Sequence, residues 1–158
     1  MRSSACLAAC LLALPLLSGL AACSDDPAPS ASIEKVAPDS LTASDDATND
    51  LTITLKYSDA DGDLGGGTVE VHDCRADDLT TQLAIPAIAK SKGNHITGEL
   101  DVNVNDIGSF AAGTMPSACS ELGVAALAPD QSVFCVVLVD AAGHRGTGSC
   151  TAAIAIAP

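Results

Sequence analysis

The sequence predicts an all-β fold, an antiparallel sandwich of about seven strands behind an export signal and a short tether. Three observations carry this. Apolar and polar residues alternate with period two over several short stretches, as in Leu51–Tyr57 and Leu100–Val104. Clusters rich in Gly, Asp and Pro separate those stretches and read as turns. The 158 residues, with 13 Gly, 8 Pro and only Tyr57, Phe110 and Phe134 as aromatic rings, leave room for one modest domain with a small aliphatic core.

Residues 1–22 start with Arg2, continue through a nearly uncharged run from Ala5 to Leu20 and end in small residues, the layout of a secretory signal peptide. The run closes on Leu20-Ala21-Ala22-Cys23, which resembles the lipobox of bacterial lipoproteins. The resemblance implies cleavage before Cys23 and acylation (palmitate) of its thiol. At about 0.8 kcal/mol per buried methylene, two or more chains hold such a protein stably on a membrane. A second LAAC, Leu7–Cys10, lacks a preceding hydrophobic stretch. Ser24 follows the acceptor where an inner-membrane retention signal would have Asp, so an outer-membrane address is expected. The competing reading is an uncleaved spanning helix, since about 18 apolar residues nearly cross a bilayer. Pro15, Ser18-Gly19 and the polar Ser24-Asp25-Asp26 argue against it.

Residues 23–31 comprise the lipidated Cys and a Ser-, Pro- and Asp-rich tether, and the sandwich is expected over 32–158. Its strands follow in order. Leu51–Tyr57 places Leu51, Ile53, Leu55 and Tyr57 on one face, and Thr68–Cys74 does the same with Val69 and Val71. Leu79–Ala89 reads as an edge strand interrupted by Pro86, because proline cannot donate to a ladder. Ile96–Val104 turns Leu100, Val102 and Val104 inward and Glu99, Asp101 and Asn103 outward. Residues 106–130 form a long loop with a helical turn near Ser117–Leu122. Val133–Val139 and Cys150–Ile156 are the last two strands, joined by the turn Asp140–Arg145. No tandem repeat points to a solenoid or propeller.

Tyr57–Gly65 (YSDADGDLG) and Val136–Gly146 (VVLVDAAGHRG) resemble the immunoglobulin-like domains of bacterial surface proteins, including PKD-like and cadherin-like modules. The resemblance spans roughly residues 32–157. It implies an immunoglobulin-like sandwich in which an aspartate-rich turn follows an early strand and a hairpin joins the last two. His144 stands where such hairpins often carry Asn.

The charge balance excludes one class of partner. Seven Lys and Arg face twenty Asp and Glu; without Arg2 the exported chain holds six bases against twenty acids, a net charge of −14. Neither nucleic acid nor an anionic lipid surface suits such a protein, since too few cations are present to neutralise phosphates.

Of seven cysteines, five survive signal cleavage and four remain beside Cys23. In an oxidising compartment Cys74, Cys119, Cys135 and Cys150 suggest two disulfides from three connectivities. A turn at Asp140–Arg145 sets Cys135 opposite Cys150, both in phase with the apolar Val137, Val139, Ile154 and Ile156 that are expected to face the core. That leaves Cys74–Cys119, a long closed loop worth around 3 to 4 kcal/mol. The rival is Cys74–Cys135, on adjacent strands, although Cys74 is out of phase with Val69 and Val71. A four-thiolate metal site is the other alternative and lacks any CxxC pair.

Asp59-Ala60-Asp61-Gly62-Asp63 offers three alternating carboxylates on a Gly-containing turn, an oxygen density suited to Ca²⁺. It is not an EF-hand: Leu64 stands where the sixth-position Gly belongs, and strands flank the loop. An immunoglobulin-like arrangement would bring Asp140 to the same end, completing a set of Asp59, Asp61, Asp63 and Asp140. The competing reading is a solvated acidic turn. His72, His95 and His144 have no ligand spacing and read as surface histidines. No GxSxG elbow is present. Gly65-Gly66-Gly67 lacks the Lys of a phosphate loop, and three rings make a poor sugar-stacking platform. The expectation is a non-catalytic, membrane-anchored envelope module, its partner an extracytoplasmic protein or glycan. An accessory subunit of a larger envelope complex, or a hydrolase of envelope material, are the alternatives.

Overall fold

A computed structural model describes residues 28–42, 49–76, 79–89, 95–107 and 114–157. The expected signal peptide, Cys23 and the first tether residues lie outside this set, as do Phe110 and the acidic pairs Asp45-Asp46 and Asp77-Asp78. The chain forms β1 (Ser30–Ala37), β2 (Ser40–Thr42), β3 (Asn49–Asp59), β4 (Thr68–Asp73), β5 (Thr80–Ala84), β6 (Ile96–Ile107), α1 (Ser117–Glu121), β7 (Gln131–Ser132), β8 (Phe134–Val139), β9 (Ser149–Cys150) and β10 (Ile154–Ala157). Among the described residues no helix is long and apolar enough to cross a membrane.

Two antiparallel sheets, β1-β3-β6 and β5-β4-β8-β9, make the sandwich. Its core matches the period-two reading. Leu51, Ile53 and Leu55 of β3 meet Val102 and Val104 of β6, with Val69 and Val71 of β4 and Phe134, Val136 and Leu138 of β8 in the same buried cluster. Tyr57 packs at its margin, opposite Gly98. The edge strand β5 ends before Pro86, as its missing N–H requires. Of the predicted last strand, Cys150–Ile156, only Cys150 pairs with β8 in the ladder, as the second residue of β9. Residues 151–153 break the ladder, and Ile154–Ala157 runs instead in a small third sheet, β2-β10-β7. There β10 lies parallel to β2, a departure from an all-antiparallel arrangement that no tight turn forbids, since the two segments are distant in sequence.

β1 begins at Ser30, inside the stretch assigned to the tether, and Pro29 before it is buried. Its apolar residues Ala31, Ile33 and Val36 break the two-residue period. The register shift between Ile33 and Lys35 explains why: a bulge returns Val36 to the face of Ile33, opposite Ile53 of β3.

The disulfides are Cys74–Cys119 and Cys135–Cys150, as expected, and Cys135 stands directly opposite Cys150. By loop length they restrict the unfolded chain by about 4 and about 3 kcal/mol respectively. Their location differs from the expectation. Cys135 does not share the sandwich core. β8 is walled on both sides: Phe134, Val136 and Leu138 face the sandwich, while Cys135 joins Cys74, Cys119 and Val133 in a second small core on the outer surface of its sheet. Met115, Leu122, Val124 and Leu127 cover that core, so α1 and the segment after it form a cap stapled at Cys119.

Candidate metal centre at one end of the sandwich

The topology sets the site. β3 ends at Asp59, and β4 starts nearby after the loop that follows it. β8 runs antiparallel to β4, with Thr68 opposite Val139, so β8 must finish at that same end, just before Asp140. The two loops are locked together. Ala141 N–H donates to the Asp63 carbonyl at 3.1 Å. Gly67 lies so close to β8 that a Cβ there would come within 2.1 Å of the Val139 carbonyl oxygen. Gly62 adopts φ 75°, a left-handed conformation that lets the turn fold its carboxylates toward one another.

Asp59 is the buried member, 1% exposed. Its Oδ2 accepts the Leu64 N–H at 2.8 Å, whereas its Oδ1 is buried with no hydrogen-bond partner. Asp61 Oδ1 and Asp63 Oδ1 are orphaned in the same way. One ligand atom from each of Asp59, Asp61 and Asp63 falls within 4.8 Å of the others, and the same holds for Asp61, Asp140 and His144. Asp61 therefore bridges two groupings. Asp140, 3% exposed, takes the His144 N–H on Oδ1 at 2.8 Å and meets His144 Nδ1 with Oδ2 at 2.9 Å.

The electrostatics follow from this crowding. Desolvation raises the Asp59 carboxyl above its ordinary value; the Leu64 N–H opposes that shift, and the charges of Asp61 and Asp140 reinforce it. Burial likewise raises Asp63, with Asp61, Asp140 and Asp59 adding to the effect. Burial pushes Asp61 upward too, but hydrogen bonds from Asp63 and Asp59 outweigh it and hold Asp61 below the usual range. Those hydrogen bonds need a proton on Asp59 or Asp63. With all three ionised, no donor reaches the orphaned oxygens. At about 5 Å and an effective dielectric near 20, each ionised pair repels by roughly 3 kcal/mol before solvent screening. Carboxylate oxygens without donors are the donor set of a hard cation, and they fit Ca²⁺.

The four aspartates proposed from the sequence thus come together. The sequence places His144 at the surface; its side chain is 43% exposed, yet its ring sits on Asp140. The four-residue spacing across the hairpin turn was the available signal. His72 is buried rather than on the surface, its Nδ1 3.0 Å from Thr80 Oγ1 and its Nε2 3.6 Å from Glu70, because Thr80 of the neighbouring strand β5 stands directly beside it in the sheet. His95 is exposed beside Ser58 Oγ at 3.0 Å. The four sulfurs are engaged as disulfides, which removes the thiolates a four-cysteine metal site would need. Set against known proteins, the chain matches no family model, no curated protein and no solved structure.

Proposed function

We propose that the chain is a lipid-anchored, non-catalytic module of the cell envelope, a sandwich stiffened at one end by Ca²⁺ that binds or supports an extracytoplasmic protein or glycan. The observation that carries the reading is the buried, unpartnered Asp59 Oδ1 facing Asp61 and Asp63, an arrangement that a divalent cation satisfies and water-filled solvent does not reach. A cation shared with Asp140 would tie the β3–β4 loop to the β8–β9 hairpin, cross-bracing the two sheets. Two disulfides fit an oxidising compartment, and Leu20–Cys23 supplies the anchor, with Ser24 favouring the outer membrane.

Calorimetric titration of the exported chain with Ca²⁺, alongside a thermal melt, tests the cation. Saturable binding that raises the melting temperature and is lost in Asp61→Ala supports the reading; no heat and no shift overturn it. Fractionation of cells expressing Cys23→Ser tests the anchor separately. Release to the soluble fraction is the expected result, and retention on the membrane refutes the lipid attachment.

A further inference from the structure

The four cysteines form more than two independent staples. Cys74 Sγ lies 3.5 Å from Cys135 Sγ, although each is bonded to another partner, and the sulfurs of Cys74, Cys119 and Cys135 all fall within 4.8 Å of one another. Cys74, Cys119 and Cys135 are fully buried, whereas Cys150 is only half-buried. Cys150 borders a surface hollow of about 350 Å³ together with Leu122, Val124, Leu127 and Val133. One end of one disulfide therefore sits at the edge of this hollow, and the other end touches the second disulfide.

We infer that these residues make a thiol–disulfide exchange site for a dithiol, in which opening Cys135–Cys150 at Cys150 moves the remaining bond from Cys74–Cys119 to Cys74–Cys135 and unlatches α1. The steps balance. One thiolate of the dithiol attacks Cys150 Sγ, forming a mixed disulfide and expelling Cys135 as a thiolate. The second thiol of the reagent closes on the first, leaving as a cyclic disulfide and releasing Cys150. The Cys135 thiolate, freed from Cys150 and 3.5 Å from Cys74 Sγ, must turn about its side-chain torsion into line with the Cys74–Cys119 bond; it then attacks Cys74 Sγ, a new Cys74–Cys135 bond forms, and Cys119 departs as a thiolate. Cys119 and Cys150 take up protons. One dithiol is oxidised to a disulfide and one of the two protein disulfides is reduced.

The backbone favours this transfer. Cys74, one residue past β4, donates its N–H to the Val133 carbonyl at 2.9 Å and Cys135 stands opposite His72, so the two cysteines lie diagonally across neighbouring hydrogen-bonded segments that hold their sulfurs 3.5 Å apart. Cys119, by contrast, is the buried residue of a five-residue helix. Releasing it returns conformational entropy to the cap, and the sandwich core on the other face of β8 stays packed. The exchange is a local unlatching.

Two experiments on the full chain test this. In Cys150→Ser, one thiol must remain among the other three positions; peptide mapping after alkylation is expected to find Cys74 bonded to Cys135 and Cys119 as the predominantly alkylated thiol. Cys74 bonded to Cys119 with Cys135 alkylated overturns the inference. Should that variant fail to fold, wild-type protein is partially reduced with dithiothreitol, quenched and alkylated. Joint labelling of Cys119 and Cys150 in the one-disulfide species supports exchange; joint labelling of Cys135 and Cys150, with Cys74–Cys119 intact, refutes it.

Discussion

Two buried acids lie at opposite ends of β4 and solve the same problem differently. Asp73, at its far end, is 6% exposed and is met by the Arg75 guanidinium, whose Nε lies 3.0 Å from both carboxylate oxygens, by the Arg75 backbone N–H and by Ser132 Oγ at 3.2 Å. Asp59, next to its near end, has one backbone donor and otherwise faces acids. The first carboxylate brings its counter-charge in its own chain, two residues away. The second is left with an unanswered oxygen. Burial of a charge is tolerated when it is paired, so the contrast separates a self-contained structural ion pair from a position that only a proton, or the cation proposed above, would answer.

The contrast can be broken by mutation, and the largest effect belongs to the completed pair. Arg75→Met strands Asp73 in the interior and should cost about 3 to 5 kcal/mol in denaturant unfolding, with or without Ca²⁺. An equal loss in Asp59→Asn would erase the distinction. Asp59→Asn is expected instead to leave the cation-free protein as stable or about 1 kcal/mol more stable, since the amide keeps the Leu64 hydrogen bond and gains a donor toward Asp61. The same change should abolish the Ca²⁺-dependent rise in melting temperature, which in wild-type protein corresponds to about 2.7 kcal/mol at a hundredfold excess over the dissociation constant.

The smallest effect is in pH. Asp59 and Asp63 have raised folded values, so their protonated forms favour folding: that stability is complete below the ordinary carboxylate value of 3.8 and is lost as pH climbs through the raised values. Asp61 is lowered and acts oppositely, contributing above 3.8 and failing only as pH falls through its depressed value. Between 3.8 and the raised values the Asp61 contribution is already complete and nearly constant, so Asp59 and Asp63 set the sign of the slope. In chelator, melts should therefore rise as the solution is acidified across that window. With saturating Ca²⁺ they should fall, because protons compete for the same oxygens.

How much of this was legible in the sequence depended on whether one phase of each strand was polar. β6 alternates Leu100, Asp101, Val102, Asn103 and Val104, so its inward face could be read directly, and β3 likewise. β8, Phe134-Cys135-Val136-Val137-Leu138-Val139, has no polar phase; parity could place Cys135 opposite Cys150 but could not say which side of the sheet held them. The true face depended on a cap contributed by Met115–Leu127, a segment with no strand periodicity that folds back over the sheet. β1 was hidden by its bulge, which shifts Val36 out of step with Ile33. At the site, the aspartates were visible because alternating acids on a turn have a pattern. His144 and the burial of His72 were not, since both depend on which strand or turn lies alongside.

The double wall around β8 has a consequence for how this protein tolerates change. A strand with one wet face can drift at every second position, and its history is written as a comb of fixed and variable sites. β8 has no such outlet. Five of its six residues are buried, some against aliphatic neighbours and some against sulfur, so a substitution that suits one side is never hidden by the other. β8 is a stretch of text without synonyms, because a change at any buried position meets one packed wall or the other.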